Sequence, residues 1–137
     1  MSYDLLVFEK TKAPRTRMEF MKWFEVETEW NENHDYGTPS IASPALQSWY
    51  NTMKDVFPPM NGIDAPTDEQ LEGNENLEGR LVDYCIGRDV IYVAFSWSCA
   101  DEAYELVKKL ARQHNVGFFD VSADNGDIIL PEGSKLI

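Results

Sequence analysis

The apolar and polar positions along the chain predict a buried strand followed at once by an amphipathic helix. Residues 89–96 are rich in β-branched and aromatic side chains, and the run is too short for a convincing helix. We therefore predict a central strand with both faces covered. In residues 100–114, apolar side chains recur at three- and four-residue steps with charged ones opposite, and Ser98 stands where the helix N-cap is expected.

The first half of the chain predicts a second central strand and two more helices. Residues 2–9 form another short apolar run, which we expect to be a strand. Residues 15–30 carry aromatic side chains at near-helical spacing and predict the first helix. The next helix is expected to begin at Ser43-Pro44, where an N-cap serine precedes a proline, and to end before Pro58.

The remaining segments predict two hairpins. Residues 80–86 form a partly alternating run that the turn residues Gly87 and Arg88 join to the strand at 89–96. Near the C-terminus, runs at 116–121 and 128–130 flank an Asp-Asn-Gly-Asp turn signal. We expect each pair of runs to form an antiparallel hairpin.

The order of these elements predicts an α+β fold, a ferredoxin-like split βαβ sandwich. In this arrangement an antiparallel sheet carries its helices on one face, and the other face is polar, partly open or covered by a partner. A helical insertion follows strand 1, and a C-terminal hairpin ends the chain. The length of 137 residues predicts a single domain, 1–137.

Charge is the first indication of function. The chain has 24 acidic and 12 basic residues, a net charge of -12, and a hydrophobic fraction of 43% that is typical of a folded protein. Such a surface repels nucleic acid and anionic lipid and favours basic protein partners. No apolar run approaches the roughly 20 residues of a membrane span, and the N-terminus lacks a secretory pattern. We expect a cytoplasmic protein with neither a membrane nor a nucleic acid as partner.

Candidate catalytic chemistry is sparse. The sequence has no nucleotide-binding glycine motif, zinc-protease motif or serine nucleophile elbow. Cys85 and Cys99 do not have metal-ligand spacing, and we expect no metal or cofactor. Cys99 and His114 would lie at opposite ends of one helix, roughly 22 Å apart, too far to share a proton. We expect a protein that is not an enzyme; the alternative is a small enzyme or ligand-binding domain that uses a cleft near Cys85.

Acidic residues instead concentrate in two segments. Residues 60–79 contain no base and predict a long acidic loop. We expect it to contact a basic partner through Asp64, Asp68, Glu69, Glu72, Glu75 and Glu78. The second segment follows the first helix, where we expect one outward acidic ridge and a nearby aromatic anchor: Glu25, Glu29, Glu32, Asp35 and Tyr36. The alternative for both segments is a merely solvated surface.

Several short motifs also resemble those of a known group of proteins. The motifs are the opening Ser-Tyr-Asp-Leu of residues 2–5, Ala13-Pro14, the Ser43-Pro44 helix with Trp49-Tyr50, the Phe-Ser-Trp-Ser of residues 95–98, and the Phe-Asp-Val of residues 119–121. Together they resemble small, uncharacterised bacterial cytosolic proteins, some of which act as immunity proteins against polymorphic or contact-dependent toxins. The resemblance implies a cognate toxin domain as partner and no catalytic residue.

Overall fold

The structure of the chain, a computed structural model, describes residues 2–137 and contains one five-stranded antiparallel sheet. The strands are β1 (Tyr3–Phe8), β2 (Asp83–Ile86), β3 (Val90–Phe95), β4 (Gly117–Phe119) and β5 (Ile128–Ile129). The helices are α1 (Arg17–Glu27), α2 (Pro44–Val56), α3 (Asp68–Leu71), α4 (Glu75–Glu78) and α5 (Ala100–Gln113). None of these helices combines the length and apolar composition that crossing a membrane requires.

The strands lie in the order β2-β3-β1-β4-β5, so β1 is the centre of the sheet. The expected α+β class, the antiparallel sheet and both hairpins, β2–β3 and β4–β5, are confirmed. The C-terminal hairpin does not use a tight two-residue turn, however. Its connection spans residues 120–127, closed by a hydrogen bond from the Asp120 N–H to the Asp127 carbonyl (3.1 Å), and only Asn125 within it has a positive φ.

One face of the sheet packs against α2 and α5. Leu5 and Val7 of β1 point to this face, together with alternate residues of the neighbouring strands. The two helices contribute Leu46, Trp49, Met53, Ala103, Val107 and Leu110, all of them buried. These side chains are the apolar stripes that the sequence predicts, because residues three and four apart share one face of a helix.

The opposite face packs against α1, and the prediction that helices lie on one face only was wrong. Leu6 and Phe8 point to this second face, since successive side chains of a strand alternate between faces. Phe20 of α1 packs on Phe8 and on Phe119 of β4, with ring centroids 4.9 and 5.4 Å away. A face that carries two such phenylalanines must be covered, and α1 is the segment that covers it.

Two helix boundaries also differ from the predictions. The α2 helix begins as expected, with Ser43 Oγ accepting from the Leu46 N–H (3.4 Å). Before α5, by contrast, residues Trp97–Cys99 form a single 3-10 turn, and α5 has no side-chain cap. Ser98 is therefore not the N-cap, and its hydroxyl lies 2.9 Å from Ser96 Oγ instead.

The first helix is shorter than the sequence predicts. It ends at Glu27, and Thr28 Oγ1 donates to the Phe24 carbonyl (2.8 Å). Trp30 then adopts φ 56, a left-handed conformation that cannot continue a right-handed helix. Because α1 ends at Glu27, residues 29–36 lie outside the helix.

The acidic stretch between α2 and β2 is partly helical rather than one long loop. Thr67 and Gln70 form a capping box at the start of α3, in which each side chain hydrogen-bonds the other residue's N–H (3.1 and 2.8 Å). Asn74 Oδ1 accepts from the Leu77 N–H (3.1 Å) at the start of α4. These capping side chains accept hydrogen bonds from backbone N–H groups that have no partner within a four-residue helix. The caps therefore stabilise both short helices.

The contact between Gly117 and Phe8 yields a stability prediction. A Cβ atom at Gly117 would lie 2.1 Å from Phe8 Cζ, and Phe8 is fully buried. We expect Gly117→Ala to lower the free energy of unfolding, measured by urea denaturation, by roughly 1–3 kcal/mol because the core is overpacked. The control is Gly79→Ala, whose Cβ would lie 3.4 Å from the nearest atom, at an exposed site. Equal effects of the two substitutions would contradict this account of the β1–β4 packing.

Candidate functional site

The acids after α1 do not form the expected ridge. Glu25 is exposed on α1, and Glu29 is exposed two residues beyond the helix end. Glu32 turns inward, where its Oε1 accepts from the Arg88 N–H (3.1 Å) and lies 2.5 Å from His34 Nε2. The prediction that Glu32 points outward in one ridge with Glu25 and Glu29 was wrong. The helix α1 ends at Glu27, before both Glu29 and Glu32. Glu32 thus hydrogen-bonds the β2–β3 turn and contacts His34, and its role in partner binding stays a prediction.

Residues 30–38, here called the edge loop, are fastened along the outer edge of β2. The Ile86 N–H donates to the Tyr36 carbonyl (2.8 Å). Tyr36 Oη accepts from the Glu32 N–H (2.7 Å), and the Tyr36 ring packs edge-on against Trp30 with centroids 5.1 Å apart. Tyr36 is thus half-buried inside the loop, so it is an internal support rather than a freely exposed aromatic anchor.

Asp35 is the exposed acid of the edge loop. Its Oδ1 accepts from the Gly37 N–H and from Thr38 Oγ1, both at 2.9 Å. These two hydrogen bonds favour the ionised carboxylate and lower the pKa of Asp35. The edge loop therefore presents a fixed negative charge to solvent at neutral pH.

His34 contacts an oxygen through each of its ring nitrogens within the same loop. Its Nδ1 lies 2.5 Å from the Asp35 carbonyl oxygen and its Nε2 lies 2.5 Å from Glu32 Oε1. Both oxygens accept hydrogen bonds, so this arrangement favours the imidazolium form, in which both ring nitrogens donate. The bond to the Asp35 carbonyl, followed by that to Glu32, raises the pKa of His34.

Residues 64–78, here called the acidic segment, contain one acid that is already paired. Asp64 accepts from Tyr50 Oη (2.9 Å) and from Lys54 Nζ (3.4 Å). Burial and the bond to Asp64 raise the pKa of Tyr50, so its hydroxyl remains a donor. Asp64 consequently ties the acidic segment to α2, and its contact with a partner stays a prediction.

The other acids of the acidic segment are exposed and unneutralised. They lie on or beside α3 and α4: Asp68, Glu69, Glu72, Glu75 and Glu78. Across residues 2–137, no lysine, arginine or histidine lies within 4.0 Å of any of these five carboxylates. The acidic segment is therefore a continuous source of negative potential on the surface.

The structure brings the edge loop next to the start of the acidic segment. Gly62 has φ 90, and a Cβ there would lie 3.1 Å from the Gly37 carbonyl oxygen. Only glycine accommodates both this conformation and this close approach. The two acidic regions that the sequence places about 30 residues apart thus adjoin beside β2.

A groove also opens on the second face of the sheet, beyond the end of α1. It has a volume of about 540 Å³. We call it the Cys85 groove, after the thiol in it; it is lined by Phe24, Thr28, Trp30, Asp83, Cys85, Tyr92, Ala94 and Val121. The sequence suggests a cleft near Cys85 only as an alternative. Apart from Cys85, the residues that line the groove were not predicted to do so. The available signal was a polar or small residue on each of three strands, at Asp4, Asp83 and Ala94, the last of them in the run 89–96 that was expected to be covered on both faces.

The Cys85 groove is acidic in character. Burial, together with the charges of Asp83 and Glu32, raises the pKa of the Cys85 thiol to about 11. The thiol is thus protonated at neutral pH, and a thiol is a far weaker nucleophile than a thiolate. At the rim, Tyr92 Oη donates a short hydrogen bond to Asp4 Oδ2.

Comparison with known proteins leaves function to be argued from this geometry. No family model, no curated protein and no solved structure matches the chain. Over the part of the chain that the structure describes, no three or more His, Cys, Asp and Glu side chains are grouped so that they could hold a metal ion. The features that remain are the acidic segment, the edge loop and the Cys85 groove.

The Glu32–His34 pair yields a pH prediction. Because the pKa of His34 is raised on folding, the pair stabilises the fold fully below the unfolded histidine pKa of 6.5. That stabilisation is lost as the pH rises through the higher folded value. We expect Glu32→Gln to destabilise the protein most at acidic pH, with the difference from wild type shrinking as the pH rises. Chemical denaturation across the pH series measures this difference.

The matched control for this experiment is Glu29→Gln. It removes an exposed carboxylate three residues away, which accepts a hydrogen bond from Asn31 Nδ2 (3.1 Å). We expect its effect to be small and nearly independent of pH. A Glu32→Gln penalty that stays constant across the same pH range would show that the His34 charge does not stabilise the loop.

Proposed function

We propose that this chain is an immunity protein that binds a cognate bacterial toxin domain in the cytoplasm and neutralises it by protein contact, without catalysis. The observation that carries this proposal is the acidic segment, whose five exposed carboxylates have no basic neighbour within residues 2–137. Like charges held together cost free energy until an opposite charge approaches. A basic protein surface supplies that opposite charge.

The partner that fits best is a toxin that acts on nucleic acid, such as a basic nuclease. Such an enzyme carries clustered lysine and arginine side chains to bind phosphates. A protein with a net charge of -12 is attracted to that surface at long range, which accelerates encounter. The exposed carboxylate of Asp35 in the edge loop adds one more negative charge to the surface of the protein.

The alternative is a small enzyme or ligand-binding domain that uses the cleft near Cys85. The Cys85 groove favours ligand binding over catalysis, because its volume of about 540 Å³ could hold a small molecule. The raised pKa of Cys85 argues against a nucleophilic thiol there. We therefore keep ligand binding as the second candidate and rank it below the immunity function.

We also propose that β1 to β4 with α2 and α5 form a ferredoxin-like split βαβ core. Supporting this, α2 precedes β2, α5 connects β3 to β4, and both helices pack on one face of the antiparallel strands. The two helices also contact each other, with Trp49 Nε1 donating to the Val107 carbonyl (3.5 Å). In this description α1 and β5 are additions to the core.

The direct test of the immunity function is protection of growing cells. The chain is co-expressed with the toxin domain encoded beside its own gene, and colony formation is counted with and without it. We expect protection by the wild-type chain and by the Cys85→Ser and Cys99→Ala variants, because no thiol chemistry is required. A folded Cys variant that fails to protect would favour the enzyme alternative, and failure of the wild-type chain would refute the immunity function.

The acidic segment yields a kinetic prediction for the purified pair. We expect the triple substitution Asp68→Ser, Glu69→Ser and Glu72→Ser to slow association about tenfold at low ionic strength. The difference from wild type should vanish near 1 M salt, where charges are screened within about 3 Å. The melting temperature should hardly change, since exposed charges contribute little to stability. Stopped-flow mixing and thermal denaturation measure the two effects.

The control for the triple variant removes the same charge from other surfaces. Asp101, Glu105 and Asp124 are exposed acids on α5 and in the β4–β5 connection, and none of them forms an ion pair among the described residues. Replacing these three residues by Ser should slow association by about twofold or less, because they lie outside the proposed contact. Equal slowing by the two triple variants would mean that net charge alone, and not the acidic segment, steers binding.

A further inference from the structure

The floor of the Cys85 groove is a row of three cross-strand neighbours that α1 does not reach. Ala94 of β3 pairs with Asp83 of β2 on one side and with Asp4 of β1 on the other. Neighbouring strands lie about 4.8 Å apart, so the two aspartates flank Ala94 with their Cα atoms roughly 10 Å from each other. Ala94 and Asp83 line the groove, whereas the Asp4 carboxylate accepts from Tyr92 Oη and from Ser2 Oγ at its rim.

The walls of the groove are aromatic and held in place. Trp30 and Tyr92 meet edge-on with ring centroids 6.2 Å apart, and Phe24 of α1 lines the groove with them. Tyr36 packs on Trp30 from within the edge loop, which limits the motion of the indole. The walls are therefore formed before any ligand arrives, and binding orders little additional structure.

The charge of the groove is negative. None of the residues that line it is basic, and Asp83 is exposed at its mouth. Burial is the main cause of the raised pKa of the Cys85 thiol, and the nearby charges of Asp83 and Glu32 add to it. An anion would be repelled from this site, and a neutral apolar group would leave Asp83 without a counter-charge.

We propose that the Cys85 groove receives an arginine side chain from a protein partner. The inference rests on the proposed function, in which the toxin domain supplies that side chain. A guanidinium group is planar and weakly hydrated, so it stacks on Trp30 or Tyr92 while its N–H groups point to Asp83 at the mouth of the groove. The methylene stem of the arginine packs against the apolar wall at Val121 and Phe24. Lysine lacks the planar group and matches this site less well.

The experiment titrates the purified full-length chain with short capped peptides and follows the Trp30 indole signal by NMR. The probes are Gly-Arg-Gly, Gly-Lys-Gly and Gly-citrulline-Gly, the last of which keeps the shape of arginine without its charge. We expect saturable binding of the arginine peptide on the order of millimolar affinity. The lysine peptide should bind more weakly, and the citrulline peptide should cause no saturable shift.

Two substitutions of groove residues test whether the arginine peptide binds in the groove. Asp83→Asn should weaken arginine-peptide binding about threefold to fivefold, the effect expected of one exposed charge pair. Ala94→Val fills the floor with a residue that suits a strand and should abolish binding while the melting temperature is maintained. Asp124→Asn, which removes an exposed acid in the β4–β5 connection, should leave the affinity unchanged.

The outcomes separate this inference from the proposed function. Equal binding of the citrulline peptide, tighter binding of the lysine peptide, no binding of any probe, or full binding by folded Ala94→Val would each overturn the arginine site. Growth protection by the same wild-type chain would then still support the immunity function, with contact through the acidic segment alone. Probe binding without growth protection would support the arginine site and refute the toxin as its source.

Discussion

Complete burial of β1 on both faces is the constraint on which the rest of the structure depends. Leu5, Leu6, Val7 and Phe8 are each 0% exposed, and alternate residues supply two separate cores. Burying one such side chain contributes roughly 1.5–3 kcal/mol, so neither face can be left to solvent. The helices α2 and α5 cover the first face of the sheet. The second face must then be covered by another segment, which is α1. The positions of the Cys85 groove and the edge loop follow from where α1 lies and where it stops, whereas the acidic segment is tied to α2 through Asp64.

The Cys85 groove exists because α1 is too short to cover the whole second face. The helix spans the rows of the sheet that contain Phe8 and Leu6, and it ends before the row that contains Ala94. The left-handed turn at Trp30 then directs the chain away from the face and along the edge of β2. The end of α1 at Glu27 and the left-handed residue Trp30 both precede the edge loop, and Phe24, Thr28 and Trp30 of this stretch line the groove.

Local sequence patterns predicted those elements whose apolar period is regular. The stripe of α5, the proline-marked limits of α2 and the two hairpins all follow from spacing within one segment. The side of the sheet on which α1 packs cannot be predicted from spacing within one segment, because it depends on the distant residues Phe8 and Phe119. The helical turns α3 and α4 depend on capping side chains such as Thr67, a signal present in the sequence but outweighed by its many acids. The inward turn of Glu32 depends on the Arg88 amide, which no local pattern indicates.

The loops that flank the sheet have a consequence for how the protein can associate. An exposed sheet edge is a template for another strand, and sheets with open edges tend to aggregate. Here the Ile86 N–H of β2 donates to the Tyr36 carbonyl of the edge loop. The Leu136 N–H near the C-terminus donates to the Ile128 carbonyl of β5. Both outer strands thus have part of their hydrogen-bonding capacity occupied by the chain itself. Strand addition is disfavoured at either end, so copies of this chain can accumulate without joining sheet to sheet.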